Sequence, residues 1–447
     1  MTVSASDSTA VRGLRELLTE LYTVATKAVD PAPALAARLQ RLERAPGRRR
    51  WILSLGKAAT PMAGTAVETL ARWGEGPAGG LVVSPALHPT PHPSIEVVAG
   101  DHPEPGPASL AAAEALGRVA ARVGPDDEVW VLLSGGATSL LAAPVEGVGP
   151  GELTRLYALL LGSGLDITAM NRIRKRFSRW GGGRLAQALA PTRVRVFVVS
   201  DVIGDDLASI GSGPCVPDPT TAAEVRGMLE GAGLWARISE SLRRVLAAAE
   251  SGETAETPKP GDEAFARVTL ELIASNRLAV EAAAKRAAEL GLAPVVAETP
   301  LAGEASAAGT SVAASLLQNC GPRGNTQPAG GRRCFIWGGE TTVTLGEAPP
   351  GMGGRCQELA LAAARTLDGE GPGIALLAAG TDGRDGPTDA AGAIVNGDTW
   401  RAAAEAGRDP ARDLAAHDAY RALDAAGALL RVGLTGTNVM DVVIGVT

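Results

Sequence analysis

Residues 128–141 read EVWVLLSGGATSLL, and the way the chain passes through them decides the fold. The apolar run reaches Ser134 without the polar alternation of a half-exposed strand, so it reads as a strand covered on both faces. Gly135 and Gly136 break the run, and Thr138, Ser139 and two leucines then open a helical pattern. Similar runs ending in Gly or Ser stand at WILSLG (51–56), GGLVVS (79–84), VRVFVVS (194–200), CFIWG (334–338) and IALLAAG (374–380). Stretches with helical spacing separate most of them, at 106–122, 152–162, 277–289 and 357–367, and two more stand near the start at 11–28 and 33–44. Strands alternating with helices predict βαβ units, hence an α/β chain of doubly wound, largely parallel sheets.

With 447 residues the chain exceeds one ordinary core, and two domains are expected. A hydrophobic content of 45% beside 20% charged residues describes a globular protein. Aromatic residues at 3% and a net charge of −7 exclude both a base-stacking platform and the basic footprint of a nucleic-acid binder. Cys215, Cys320, Cys334 and Cys356 form neither a CxxC pair nor a disulfide framework, which fits a reducing compartment. The polar start MTVSASDSTAVRG lacks a signal-peptide core, and no run approaches the ~18 apolar residues of a membrane span. A soluble, cytoplasmic protein is expected.

Two stretches read as connectors. ESGETAETPKPGDE (250–263) is acidic, rich in Thr and Pro and without periodicity, and NCGPRGNTQPAGGRR (319–333) is a Gly/Pro loop. The first sets the expected boundary, giving domains 1–250 and 264–447. A weak internal repeat points to related halves: VLLSGGATSLL (131–141) resembles FIWGGETTVTL (335–345), and GGRLAQALA (182–190) resembles GGRCQELAL (353–361). VVSDVIGDD (198–206) likewise matches AAGTDGRDG (378–386), so a diverged duplication is a candidate origin.

Ser134, Gly135, Gly136, Thr138 and Ser139 follow a strand directly, where bare amides at a helix start attract phosphate or carboxylate. One such turn is ordinary strand-to-helix geometry; several in series favour anion binding. Lys57 follows WILSLG and opens a helix, and Arg355 follows three glycines at another helix start, where a guanidinium can grip an oxyanion bidentately. Asp201 ends a strand with Asp205 and Asp206 in the next loop, and Asp382, Asp385 and Asp389 repeat that arrangement. Carboxylates beside glycines hold Mg²⁺ or accept a proton, but they also cap helices and close Asx turns, so two or three of the six are expected to be functional. GEGPAG (74–79) precedes its strand and is no dinucleotide fingerprint, and Gly56–Lys57 lacks the rest of a Walker A loop. His88, His92 and His102 lie among prolines, and His102 is the one expected near a substrate.

LGKAA, GDHPEPG, LLSGGATSLL, SDVIGDDLASIGSGPCVPDPTT, GGETTVTL, GGRCQELALA, GTDGRDGPTDAAGA and TGTNVMD occur in an order that resembles the glycerate 2-kinases with a MOFRL domain. The likeness runs from about residue 50 to the C-terminus. It implies a two-domain α/β enzyme that uses ATP and Mg²⁺ to phosphorylate the 2-hydroxyl of D-glycerate, as a monomer or homodimer, with its active site in a cleft between domains. Carried over by motif, the family's Lys and Arg fall on Lys57 and Arg355, and its acidic loops on Asp201–Asp206 and Asp382–Asp389. Under this reading Ser134–Ser139 and Gly338, Gly339, Glu340 and Thr341 cradle nucleotide phosphates or the acid's carboxylate. Asp201 and Asp382 are the candidates for holding Mg²⁺, and Asp201 is also a candidate to orient the hydroxyl.

Ala137, Gly181 and Cys356 depart from the family's usual SGGGSALL, KGG and GGRNQE patterns, which leaves other small 2-hydroxy acids open as acceptors. Two competing readings are a hydroxypyruvate reductase, the older label of some relatives, and a non-catalytic binder of ATP or acid.

Overall fold

The structure is a computed structural model that describes residues 5–320, 332–346, 349–371 and 373–447. The chain divides into two compact units, Pro31–Ile273 and Met1–Asp30 with Ala274–Thr447.

The contiguous unit holds strands β1 (Arg50–Leu55), β2 (Gly79–Ser84), β3 (Ile95–Ala99), β4 (Glu128–Leu133), β5 (Arg193–Val199) and β6 (Val268–Ala274). Their spatial order is β3-β2-β1-β4-β5-β6, and the ladders β1–β2, β2–β3, β1–β4 and β4–β5 are parallel. Every residue of β1, β2 and β4 is buried, which is why those runs carry no polar alternation. One core packs around the sheet, with Leu53, Leu81, Val131 and Leu185 at 0% exposure. A second cluster of Leu156, Ile173, Phe177, Leu229 and Leu246 joins the helices that follow β4 and β5. Going outward from β1, the chain fills one side of the sheet first and then crosses to the other. The order reverses between β1 and β4, the point at which open α/β sheets present a ligand crevice.

The composite unit holds β7 (Ala293–Val296), β8 (Arg333–Gly339), β9 (Ala375–Gly380), β10 (Gly392–Asn396), β11 (Leu429–Leu430) and β12 (Asp441–Val446), in the order β11-β10-β9-β12-β8-β7. Only β7–β8 is parallel; β8–β12, β12–β9, β9–β10 and β10–β11 are antiparallel. The two-domain α/β architecture expected from the sequence is present, but the second sheet is not the largely parallel one expected. Two features reverse it. The turn after IALLAAG folds back as a hairpin into β10 instead of opening a helical crossover, and the final segment DVVIGV enters between β8 and β9 from their C-terminal ends. The expected duplication is not carried by the topology either: β4 has parallel neighbours on both sides, whereas β8 runs antiparallel to β12.

The domain limits at 1–250 and 264–447 also need correction. The helix Ala5–Ala28 buries Leu14, Leu18, Leu21 and Tyr22 against the composite unit, where it meets β9, β12 and the helix Asn276–Glu289. Tyr22 donates a hydrogen bond to the Gly380 carbonyl at 2.7 Å, and Thr437 donates to the Val29 carbonyl at 2.7 Å. The stretch 250–263 is no linker. Lys259 donates to the carbonyls of Asp218 (3.0 Å) and Thr220 (2.7 Å), Thr257 donates to the Asp218 carboxylate at 3.0 Å, and Glu256 pairs with Arg176. Those bonds fasten it inside the contiguous unit. Of the loop expected at 319–333, residues 321–331 lie outside the described residues.

Candidate active site

At the reversal point of the parallel sheet, the turns after β1 and β4 interlock. The Lys57 amide donates to the Gly135 carbonyl at 2.9 Å, and the Ala58 amide donates to the Ser134 hydroxyl at 3.0 Å. Asp201, just past β5, lies directly over this turn. A Cβ built on Gly135 would stand 1.7 Å from the Asp201 Oδ2, so no larger residue fits there. On the other side, the position of a Cβ on Gly136 is 3.2 Å from the His102 Nε2 and 3.3 Å from the Lys57 Cγ. Lys57, His102 and Asp201 therefore converge on two bare peptide units.

The electrostatics follow from that convergence. Burial raises the Asp201 pKa above the ordinary carboxylate value, with the nearby Lys57 opposing the rise. Burial lowers the His102 pKa, and Lys57 lowers it further, so the imidazole is neutral at pH 7. A cavity of about 380 Å³ opens beside them, lined by Gly135, Gly136, Thr138, Ser139 and Asp201 at the strand ends and by the helix Pro150–Leu161 opposite. Ser134 itself is buried and holds the β1 turn, Thr138 bonds Ser212 at 3.0 Å, and Ser139 donates to the Gly136 carbonyl. The hydroxyls thus brace the loop, while the glycine backbone faces the cavity.

The composite unit carries its own charged cluster. Arg355 begins the helix Arg355–Leu367 and grips Asp441 with two bonds, Nε–Oδ2 at 2.5 Å and Nη2–Oδ1 at 2.8 Å; it also pairs with Glu340 at 2.9 Å. Asp441 heads the central strand β12, flanked by Gly339 and Gly380. A Cβ on Gly380 would lie 3.1 Å from an Asp382 carboxylate oxygen and 3.6 Å from one of Asp441, so Arg355, Glu340, Asp382 and Asp441 gather at one end of the sheet. Behind them Cys356 is fully buried, and the acids beside it add to burial in raising its thiol pKa.

Several expected site residues have structural duties instead. Gly338 and Gly339 belong to β8, not to a phosphate-cradling loop, and a Cβ on Gly338 would collide with the Asn276 Oδ1 at 1.7 Å. The bareness of Gly338 lets the Asn276 side chain reach the carbonyls of Val439 and Asp441 at 2.8 Å, and that of Gly339 admits the Leu301 backbone. Thr341 is buried, and Glu340 is a partner of Arg355. Asp385 caps the helix Arg355–Leu367, accepting from the amides of Cys356 (3.1 Å) and Gln357 (2.8 Å). Asp389 binds Tyr420 and Arg431, and Asp206 closes a turn onto Ala208 and Ser209. Among the described residues no group of three or more His, Cys, Asp or Glu side chains is arranged to hold a metal ion. Asp441 and Arg174, neither singled out from the sequence, stand beside the expected residues: Asp441, at the end of TGTNVMD, pairs with Arg355, and Arg174 lines the cavity of the contiguous unit.

Comparison with known proteins locates this arrangement in a family. Residues 17–247 match a domain of unknown function, DUF4147, and residues 333–441 match the MOFRL family. The chain is 38% identical to the glycerate 2-kinase of Pyrococcus horikoshii over 89% of its own length and 87% of that protein. It is 36% identical to the D-glycerate 2-kinase of Thermotoga maritima over 97% and 98%. The chain belongs to the MOFRL-domain family of glycerate 2-kinases. A crystal structure of the Thermotoga maritima glycerate kinase superposes on this family member with a TM-score of 0.85 at 36% identity, covering 97% of this chain and 99% of that one. Family names are mixed: an Agrobacterium vitis relative, 37% identical over 96% of this chain and 93% of its own, bears a provisional hydroxypyruvate reductase name.

Proposed function

We propose that this chain transfers the γ-phosphoryl group of ATP to the 2-hydroxyl of D-glycerate, giving 2-phosphoglycerate and ADP. The observation that carries the reading is the convergence of Lys57, His102 and Asp201 on the Gly135–Gly136 backbone at the reversal point of the parallel sheet. Phosphoryl transfer asks a protein chiefly to position reactants and neutralise charge. Lys57 supplies a cation where charge spreads over the transferring group, and the bare amides give it donors that need no reorganisation. Asp201, its pKa raised by burial, is a better proton acceptor near neutrality than an exposed carboxylate and suits the role of orienting the attacking hydroxyl. In the composite unit Arg355, held by Asp441, is the candidate cation for an oxyanion.

Mg²⁺ fits these residues as a nucleotide-borne ion. It needs only one or two protein carboxylates beside phosphate oxygens and water; Asp201 is the candidate of the contiguous unit and Asp382 that of the composite unit, and either would let the ion screen phosphate charge. All four cysteines are free, and among the described residues no helix is long and apolar enough to cross a membrane; both observations support a cytoplasmic enzyme.

One observation favours a second reading. The strand order 3-2-1-4-5-6 is also that of dinucleotide-binding sheets, which suits a hydroxypyruvate reductase. The β1 turn reads LGKAAT, however, and puts a lysine where such folds bring the pyrophosphate close to glycine backbone. The deciding experiment is ADP release over a panel of 2-hydroxy acids, with the phosphorylated carbon identified by NMR. Production of 2-phosphoglycerate from D-glycerate is expected; NADH oxidation by hydroxypyruvate without ATP would sink the kinase reading.

A further inference from the structure

The helix Ile167–Phe177 carries three consecutive cations, Arg174, Lys175 and Arg176, and they are treated differently. Lys175 pairs with Asp218 at 3.3 Å and Arg176 pairs with Glu256. Arg174 instead lines the cavity beside Gly135 and Gly136. Its Nε is buried without a hydrogen-bond partner among the described residues, and its guanidinium lies 5.0 Å from the centre of the Tyr157 ring. Burial lowers its pKa, and the group whose charge counters that effect is Tyr157, not a carboxylate. Glu104 and Asp201 also line the cavity, but neither pairs with Arg174, and a partly desolvated guanidinium without a paired acid is costly unless an anion completes it.

The rest of the cavity says what kind of anion. Its volume of about 380 Å³ lies in the range of ~300–1,000 Å³ typical of sites for drug-sized ligands, well beyond what a three-carbon acid fills. Its lining combines the glycine backbone at the strand termini and the Arg174 guanidinium with the apolar Pro103, Pro105, Tyr157, Ala158 and Leu161. Leu161, which also lines the cavity, is 70% exposed and so is open to contact by a flat, weakly polar group. A ligand that carries both a phosphate and an aromatic base matches this mixed lining.

We propose that this cavity of the contiguous unit is the nucleotide site, with Arg174 clamping the phosphates and Leu161 covering the base. The inference rests on the kinase reading and extends it by assigning the nucleotide to one unit and to residues outside the recognised motifs. The guanidinium's planar fork gives it two donors for one phosphate, which a lysine at this place would not reproduce.

Titration calorimetry of the full chain with ADP, and separately with D-glycerate, tests it. Arg174→Gln is expected to weaken ADP binding at least about tenfold, the scale of losing charge-assisted bonds, and Arg174→Lys to weaken it less. D-glycerate affinity should stay within about twofold. Leu161→Ser, on an exposed side chain and so harmless to folding, is expected to weaken ADP binding about fivefold through lost apolar contact. Unchanged ADP affinity in Arg174→Gln, or a loss confined to D-glycerate, overturns the proposal. Should Arg174→Gln melt early, the Lys and Leu161 variants decide in the same way. Failure of the kinase reading looks different: the wild type would then phosphorylate no 2-hydroxy acid, whatever the nucleotide-binding results.

Discussion

Lys57 acts on its neighbours through charge, and that makes its role measurable apart from turnover. Its cation helps depress the His102 pKa and opposes the rise at Asp201. In Lys57→Ala, an NMR titration should find the His102 pKa moved upward and that of Asp201 raised further, and kcat/KM should fall at least about a hundredfold. An unmoved His102 titration would remove Lys57 from this cluster; a loss under about threefold would remove it from the chemistry. Arg355 needs a different control, because Asp441 is only 5% exposed and Arg355 is its partner. Arg355→Ala leaves that carboxylate unpaired and should cost about 3 kcal/mol in chemical denaturation, besides its effect on rate. Arg355→Ala with Asp441→Asn should regain most of the stability and none of the turnover. Recovery of activity in the double variant would show that Arg355 serves only the fold. Lys57 and Asp201 stand out in the sequence because they abut apolar runs. Arg174 could not: in RIRKRF it is one of four cations, and only packing against Tyr157 separates it from those that pair with acids.

The hairpin between β9 and β10 shows what sequence leaves undecided about an element. GTDGRDGPTDAAG has the composition of a strand-to-helix turn, and nothing local distinguishes it from a loop that doubles back. The direction is set by a distant partner, since Asp385 reaches the first turn of the helix Arg355–Leu367 and its carboxylate becomes that helix's cap. In the same way ESGETAETPKPGDE looked like a linker because Thr, Lys and Glu usually face water, but here they satisfy buried carbonyls and an amide. The strands β1, β2, β4, β5, β8 and β9 were legible as continuous apolar runs, whereas β10 and the two-residue β11 are too short to stand out. The Asp385 cap has a pH signature. Burial outweighs the two amides and pushes the Asp385 pKa up to about 7, against ~3.9 for an unfolded Asp. The folded state therefore binds that proton more tightly. The contribution to stability is full below about pH 4 and is lost as pH rises through about 7. Relative to Asp385→Asn, the wild type should lose unfolding free energy between those values in urea titrations; a flat or rising difference would contradict the assignment.

At the scale of the whole molecule, the chain order and the folding units do not coincide. The parallel-sheet unit is one continuous segment, Pro31–Ile273, set into the middle of the other, whose helix Ala5–Ala28 comes from the N-terminus. Sequence reading missed this because an amphipathic N-terminal helix gives no hint of which sheet it will cover. The physical consequence is an asymmetry in autonomy. The fragment 31–273 keeps both of its hydrophobic clusters intact and should melt cooperatively on its own. The fragment 274–447 lacks Leu14, Leu18, Leu21 and Tyr22, which are at most 3% exposed in the full chain, as well as the bonds Tyr22 and Val29 make to Gly380 and Thr437. It should therefore expose the faces of β9 and β12 that the helix covers, bind hydrophobic dye and show no sharp transition. A chain joining residues 1–30 to 274–447 through a short Gly/Ser linker should restore the cooperative transition in circular dichroism. Equal melting of 274–447 with and without the N-terminal segment would refute the composite unit, because the helix would then be an appendage instead of part of its core.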